Sequence, residues 1–314
     1  INSRYALHVD DSTFTNNSAV RGGAIYSSSA TDVSDSEFIN NTADIGSAMY
    51  IGASLTLDKN TSFISDDPNP VYFNSIYTDI TSFEDLQNVI SLALSGKTIY
   101  LTSDVVITEE EIEKFKNGIV VDKTITIAAN GHTIDAKNSA RIFNITSTGV
   151  LNLNNAILIN GNADLGGAIY NEGTLCFRSN PSVLANNTAN YGGAIYNVGK
   201  ITNSFTNEIS FINNSATIAG GAIYSEGTVN VNKYLFANNS AASWGGAIYN
   251  KGTLTVSNGA TFDSNDITNR SSNDLDYGGA AIYSADGTRL IVSGANIINN
   301  IKNYKNGDCL IGAI

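Results

Sequence analysis

Apolar residues in this chain come in short pieces of three to five, alternating with polar ones and separated by polar bends. GTLTV at 252–256 and GTVNV at 227–231 show the period-2 pattern of half-buried strands. Two signatures punctuate these pieces. Gly-Gly-Ala-Ile-Tyr starts at Gly22, Gly166, Gly192, Gly220 and Gly245, with variants at Gly46 and Gly278. An apolar residue with Asn three positions later precedes it, as in FTNN from Phe14, FINN from Phe38 and Phe211, FANN from Phe236 and FDSN from Phe262. Within each run the glycine motifs start 24 to 33 residues apart. Each period thus reads as three short strands and three bends. No such strand can bury its apolar side alone, but stacked on its copy in the next period it joins a continuous sheet. The pattern predicts an all-β chain wound as a right-handed parallel β-helix of three sheets, with the hand set by the preference of parallel crossovers.

Each recurring residue then has an expected place. Phe211, Phe236 and Phe262 stack inside as a column. Asn214, Asn239 and Asn265 sit at a bend, where each amide bonds its copies above and below. Gly192, Gly220 and Gly245 open a corner that a side chain would block.

The pattern breaks at DDPNPVY, 66–72, where two prolines interrupt a ladder. SFEDLQNVISLALSG at 82–96 has helical spacing, with Ser82 and Asp85 as a capping box and Gly96 at its end. KTIYL and DVVI read as strands, and TEEEIEKF at 108–115 as a second short helix with Thr108 and Glu111 as its box and EEEIE as its wet face. An open coil needs a cover. The expected organisation is therefore 1–76 as the last coils of one β-helical segment, 77–117 as a helical cap and linker, and 118–314 as a second β-helix. The opening on Ile1 in mid-pattern reads as a piece cut from a longer protein.

Composition narrows the function. Only 15% of the 314 residues are charged, yet the net charge is −12, which argues against nucleic acid and against docking on an anionic membrane. No run of eighteen apolar residues suggests membrane insertion within this stretch. The cysteines, Cys176 and Cys309, fall in separate repeats and make neither a disulfide framework nor a metal site. No cofactor or metal is expected.

The alternation of FxxN and GGA(I/L/V) resembles the polymorphic outer membrane proteins of chlamydiae. NGIVVDKTITIAANGHTIDAKNSARIFNIT at 117–146, followed by LINGNADLGGAIYN, resembles the adhesin-like surface proteins of methanogenic archaea. The resemblance implies an extracellular, cell-surface protein, anchored by regions outside this stretch. It implies an adhesive or structural role, with a cell-surface glycan or a host or microbial surface protein as partner. It supplies no catalytic residue.

The solenoid is also the pectin-lyase-like fold, which hosts polysaccharide lyases and hydrolases, so the fold alone excludes no reaction. Such enzymes need convergent carboxylates, often with calcium. Successive coils here offer Tyr, Asn, Ser and Thr instead, and His132 and His8 stand alone. No catalytic residue is assigned. Two features could bind. Tyr170, Tyr196, Tyr224, Tyr249 and Tyr283 each follow an inward Ile and so point outward, as an aromatic stripe for a glycan or protein or as a shield over the sheet. The bends at 266–277 and 301–310 lengthen on adjacent coils, bringing Arg270, Asp274, Asp276, Tyr277, Tyr304 and Lys305 to one bump that is either a binding loop or a tolerated insertion. A passive spacer of the cell envelope is the alternative reading, and a polysaccharide lyase or hydrolase a further one.

Overall fold

A computed structural model describes residues 1–58, 60–67, 70–78, 80–178, 181–203, 208–268 and 278–302. The chain winds as a parallel β-helix of about ten turns. Every strand pairing is parallel, and like sits on like.

One turn shows the design. Ile195–Asn197 lies in what we term the aromatic wall, Lys200–Asn203 in the long wall, Ile209–Ile212 in the phenylalanine wall and Ser215–Ala219 in the short wall. Gly220 and Gly221 turn the corner, and Ile223–Ser225 starts the next turn directly above Ile195–Asn197. Four walls therefore replace the three expected. The short wall was not legible because its inward positions are Ala189, Ala216 and Ala241, too small to make an apolar alternation. Ala216 and Ala241, with Ile267 and Ala280, form a small cluster apart from the main core.

The main core is built by the expected columns. Phe211, Phe236 and Phe262 superpose with ring centroids 4.9 and 4.7 Å apart, and Phe14, Phe38 and Phe63 repeat the stack lower down at 4.9 and 5.3 Å. Parallel-displaced rings at this spacing add to the area they bury. The asparagine ladder runs beside them. Asn239 Oδ1 accepts from both N and Nδ2 of Asn214, while Asn239 Nδ2 donates to Phe211 O and Asn265 Oδ1. Asn265 and Asn300 continue it. Gly192, Gly220 and Gly245 have φ of 64°, 67° and 62°, the left-handed region a corner requires.

Among the described residues several buried side-chain polar atoms go without a partner, and the Tyr234 hydroxyl is the most enclosed by rings. Tyr234 is fully buried among Phe177, Phe211 and Phe236, and its hydroxyl has no hydrogen-bond partner. Burial pushes its ionisation far up. Tyr234→Phe removes the stranded hydroxyl and keeps the ring, so the variant should gain about 1–2 kcal/mol in urea unfolding. A loss of stability would mean that the hydroxyl has a partner.

The stretch 77–117 holds helical pieces together with strands of the long and phenylalanine walls. The long wall crosses it without a break: Ser75–Thr78 pair with Thr98–Leu101, and Lys97–Tyr100 pair with Ile125–Ala128. Val105–Val106 likewise begins the phenylalanine wall of the upper coils. The phenylalanine sheet of the lower coils, Thr13–Thr15, Glu37–Ile39 and Ser62–Ile64, is separate from this upper one, and the aromatic wall is interrupted as well. There α1, Phe83–Leu92, stands beneath Ile119–Val121, the wall's first strand above the interruption. Gln87 copies a neighbouring strand with one side chain: its Oε1 accepts from Val120 N at 2.7 Å and its Nε2 donates to Val120 O at 3.3 Å. Through Gln87, α1 thus covers the lower edge of the upper aromatic wall.

Ser82 and Asp85 make the expected capping box on α1. The second helical piece is a 3-10 turn, Glu109–Glu111, followed by α2, Ile112–Phe115. Its Glu111 does not join the wet face, being only 6% exposed. Burial alone would raise its carboxyl, but hydrogen bonds from the Thr108 and Glu84 N–H groups and the Ser82 and Thr108 hydroxyls outweigh it and hold the pKa below the ordinary value. Glu111 therefore ties the start of α1 to the following turn as a carboxylate.

Candidate functional site

The aromatic wall reads Ile-Tyr-Asn or Ile-Tyr-Ser in successive turns. In Ile195–Asn197 it alternates: Ile195 and Asn197 are fully buried and Tyr196 between them is half-exposed. The parallel register places Tyr170, Tyr196, Tyr224, Tyr249 and Tyr283 in one column. Their rings stack at 5.6, 5.0, 4.7 and 5.2 Å, with interplanar angles of at most 13°.

That geometry changes what the column offers. Ring faces are turned on one another, so a sugar has no inner face to stack on. What reaches solvent is a row of ring edges and hydroxyls. Tyr224, at the centre, is only 8% exposed. Tyr191 meets its ring edge-on at 5.3 Å, and Trp244 flanks Tyr249 and Tyr283 at 6.5 and 6.4 Å. Tyr191 and Trp244, which the sequence reading did not single out, widen the stripe at the short-wall corner. Their signal was their place just before the double glycine.

Burial holds the hydroxyls of Tyr170, Tyr196, Tyr224 and Tyr249 in the protonated, donating form. Burial, with Glu226 and Tyr170 adding to it, pushes Tyr196 up to about 12. Burial likewise raises Tyr170, Tyr224 and Tyr249. Tyr170 donates to Glu172 Oε1 at 3.2 Å, and Glu226 pairs with Lys251 at 3.0 Å along the same edge.

Cations close the ends of the stacks. A shorter stack, Tyr26, Tyr50 and Tyr72, lies below α1, with Lys97 Nζ over the Tyr72 ring at 4.3 Å. Above the interruption the Arg141 guanidinium lies over Tyr170 at 5.2 Å. Each uses the ring quadrupole where the next tyrosine is missing.

A second polar file was also missed. The Asn that follows Tyr170, Tyr196 and Tyr249 is buried and reaches the polar residue of the next turn: Asn171 Nδ2 donates to Asn197 Oδ1 at 2.6 Å, Asn197 Nδ2 to Ser225 Oγ at 2.9 Å and Asn250 Nδ2 to Ser284 Oγ at 2.9 Å. This file fixes the backbone that presents the rings.

The remaining candidates, Arg270, Asp274, Asp276, Tyr277, Tyr304 and Lys305, lie outside the described residues, as does Cys309. His132 does not enter the core; its Nδ1 stands 3.4 Å from Asp104 at the surface. Cys176 is buried, its thiol 3.8 Å from Phe177 O. Among the described residues no three His, Cys, Asp or Glu side chains gather as a metal would require, and no helix is long and apolar enough to cross a membrane.

Fold and ladder define a class: a β-helical solenoid that carries an outward tyrosine stack. Within it, residues 11–28, 181–198, 208–226 and 233–251 match the Chlamydia polymorphic membrane protein repeat. Each matched stretch spans one apolar-x-x-Asn bend and ends two residues beyond a Gly-Gly-Ala-Ile-Tyr motif. No curated protein and no solved structure matches the chain.

Proposed function

We propose that the chain is a β-helical module of a cell-surface, adhesin-like protein, a stiff extracellular rod that presents its tyrosine edge to a glycan or a surface protein. The observation that carries this reading is the stack from Tyr170 to Tyr283, which sets five hydroxyl-bearing rings in register on one outward wall. The likeness of four stretches to a membrane-protein repeat supports a surface location, and the wording of 117–146 supports a microbial, archaeal cell as its owner. Because ring edges and hydroxyls are what the stack exposes, a flat protein partner suits it better than a sugar face. In this reading the chain binds its partner and catalyses no reaction.

A passive spacer is the second reading. It is favoured by the low exposure of Tyr224, whose faces serve its neighbours. One screen separates the two. The 314-residue chain is presented to a glycan array and to extracted surface proteins, beside Tyr224→Ser/Tyr249→Ser. The adhesin reading expects a ligand whose binding falls at least tenfold in the double variant. No ligand at all supports the spacer, while equal binding by both forms would place the ligand away from the tyrosine stack.

A further inference from the structure

The short wall begins abruptly. Its first strand, Asn162–Leu165, has no strand of that sheet beneath it, since the coils below carry α2 and the turn 136–142 there instead. The step leaves an open groove of about 360 Å3 on the outside of the rod. Lys116, Asn117 and Arg141 line it from below, and Asp164, Asn190 and Thr217 from successive short-wall turns. This is a different wall from the one that carries the exposed tyrosine edges, so the inference goes beyond the reading given above.

Arg141 is the unusual member. It is only 9% exposed, and no carboxylate lies within ion-pair distance of it among the described residues. Its guanidinium instead gathers the carbonyls at the end of the unpaired strand: Nε and Nη2 reach Leu165 O at 3.2 and 2.9 Å, Nε also Gly166 O at 3.2 Å, and Nη1 reaches Asn117 O at 3.0 Å. A guanidinium has five N–H donors, so one on each terminal nitrogen is left over. A buried cation without a counter-ion is costly, and an anion in the groove would relieve it. Lys116 adds an exposed ammonium with no ion pair among the described residues. Two cations thus face one carboxylate, Asp164, in a chain whose net charge is −12.

The far side of the groove is a polar rail. Thr217 Oγ1 donates to Asn190 Oδ1, and Asn190 Nδ2 donates to Asp164 Oδ1 at 3.1 Å. These are hydroxyl, amide and carboxylate groups one coil apart, suited to a ligand rich in hydroxyls. An added peptide strand fits poorly. The edge is already engaged, with Asn162 N bonded to Ala140 O at 2.8 Å and Leu165 O held by Arg141. The volume lies within the range of small-ligand sites, roughly 300–1,000 Å3.

We propose that this groove binds an acidic saccharide, its carboxylate or sulfate set against Lys116 and Arg141 and its hydroxyls along Asp164, Asn190 and Thr217. The test is titration calorimetry on the whole chain with three oligosaccharides of equal length: a glucuronate oligomer, a sulfated glucose oligomer and neutral glucose. The proposal expects at least one acidic probe to bind, the neutral one to bind at least tenfold more weakly, and affinity to fall with added salt. The stronger acidic probe identifies the anionic group. Lys116→Glu and Asn190→Ala should each weaken binding about tenfold, with melting temperatures confirming that both fold. Tyr224→Ser/Tyr249→Ser should leave it unchanged. The proposal is overturned if no acidic probe binds at millimolar concentration, if neutral glucose binds as well, or if Lys116→Glu has no effect. Loss of binding in the tyrosine variant alone would place the saccharide on the ladder and overturn it equally.

Discussion

Asn239→Leu is expected to cost about 4 kcal/mol of unfolding free energy, although it exchanges side chains of nearly equal size. Asn239 is fully buried and engaged on both sides. Its Oδ1 accepts from Asn214 N at 3.0 Å, and its Nδ2 donates to Phe211 O at 2.9 Å. Leucine can do neither. It strands a backbone N–H and weakens the bonding of a carbonyl in a site that water does not reach, at about 1–3 kcal/mol for each unsatisfied group. The adjacent residue is the natural control. Asn238 is exposed and adopts φ of 55°, a conformation glycine takes freely, so Asn238→Gly should stay within about 0.5 kcal/mol of the parent. Urea unfolding followed by circular dichroism reads both. A change below about 1 kcal/mol in Asn239→Leu would show that the ladder decorates the bend instead of holding it. The loss should also be local. In a solenoid each turn leans on its neighbours only, so amide exchange should quicken first at Asn214 and the turn around it.

The contrast between these two neighbours explains what was legible beforehand. Asn239, Phe236 and Gly245 each answer a need that every turn repeats, so the period exposes them. Residues that answer a need arising once leave no such trace. Gln87 matters because one wall is interrupted beneath Val120, and nothing in SFEDLQNVISLALSG marks that amide as a substitute strand. Arg141 matters because the short wall has no strand below Asn162–Leu165, a fact of stacking and not of composition. Glu111 looked like one more solvated charge in an acidic run, and its burial is set by the approach of Glu84 N–H from 27 residues away. The short wall itself was hidden by its alanines. The tyrosine column was anticipated from alternation alone, but the closing of its faces was not. Alternation gives the side of a sheet on which a ring lies, while the distance and tilt between rings come from the coil spacing.

Gly221→Ala should be more damaging still, for a single added methyl. Unlike Gly220, this residue does not have a left-handed backbone, so conformational strain is not the cause. The cause is the turn above. A Cβ at Gly221 would overlap the carbonyl oxygen of Gly246 and crowd that of Ser240, both backbone atoms with no rotamer to yield. The same corner carries the bonds Gly221 N to Gly245 O at 3.0 Å and Ala222 N to Ala247 O at 2.9 Å. Moving the upper turn away breaks these and lifts the Phe236 ring off Phe211, now 4.9 Å apart. A loss above about 4 kcal/mol is expected, in the range reserved for severe steric failure. Gly52→Ala is the matched control, since the nearest atom to the added methyl there would be Ser28 Cα at 3.5 Å, an ordinary contact. Because the defect sits between turns, the rod should fail as two blocks. Calorimetry of Gly221→Ala should resolve two transitions where the parent shows one, the block that begins at Ala222 melting first. A single transition near the parent's temperature would mean that the corner can open without cost. The double glycine would then be a habit of the repeat and not the joint that sets how closely its turns approach.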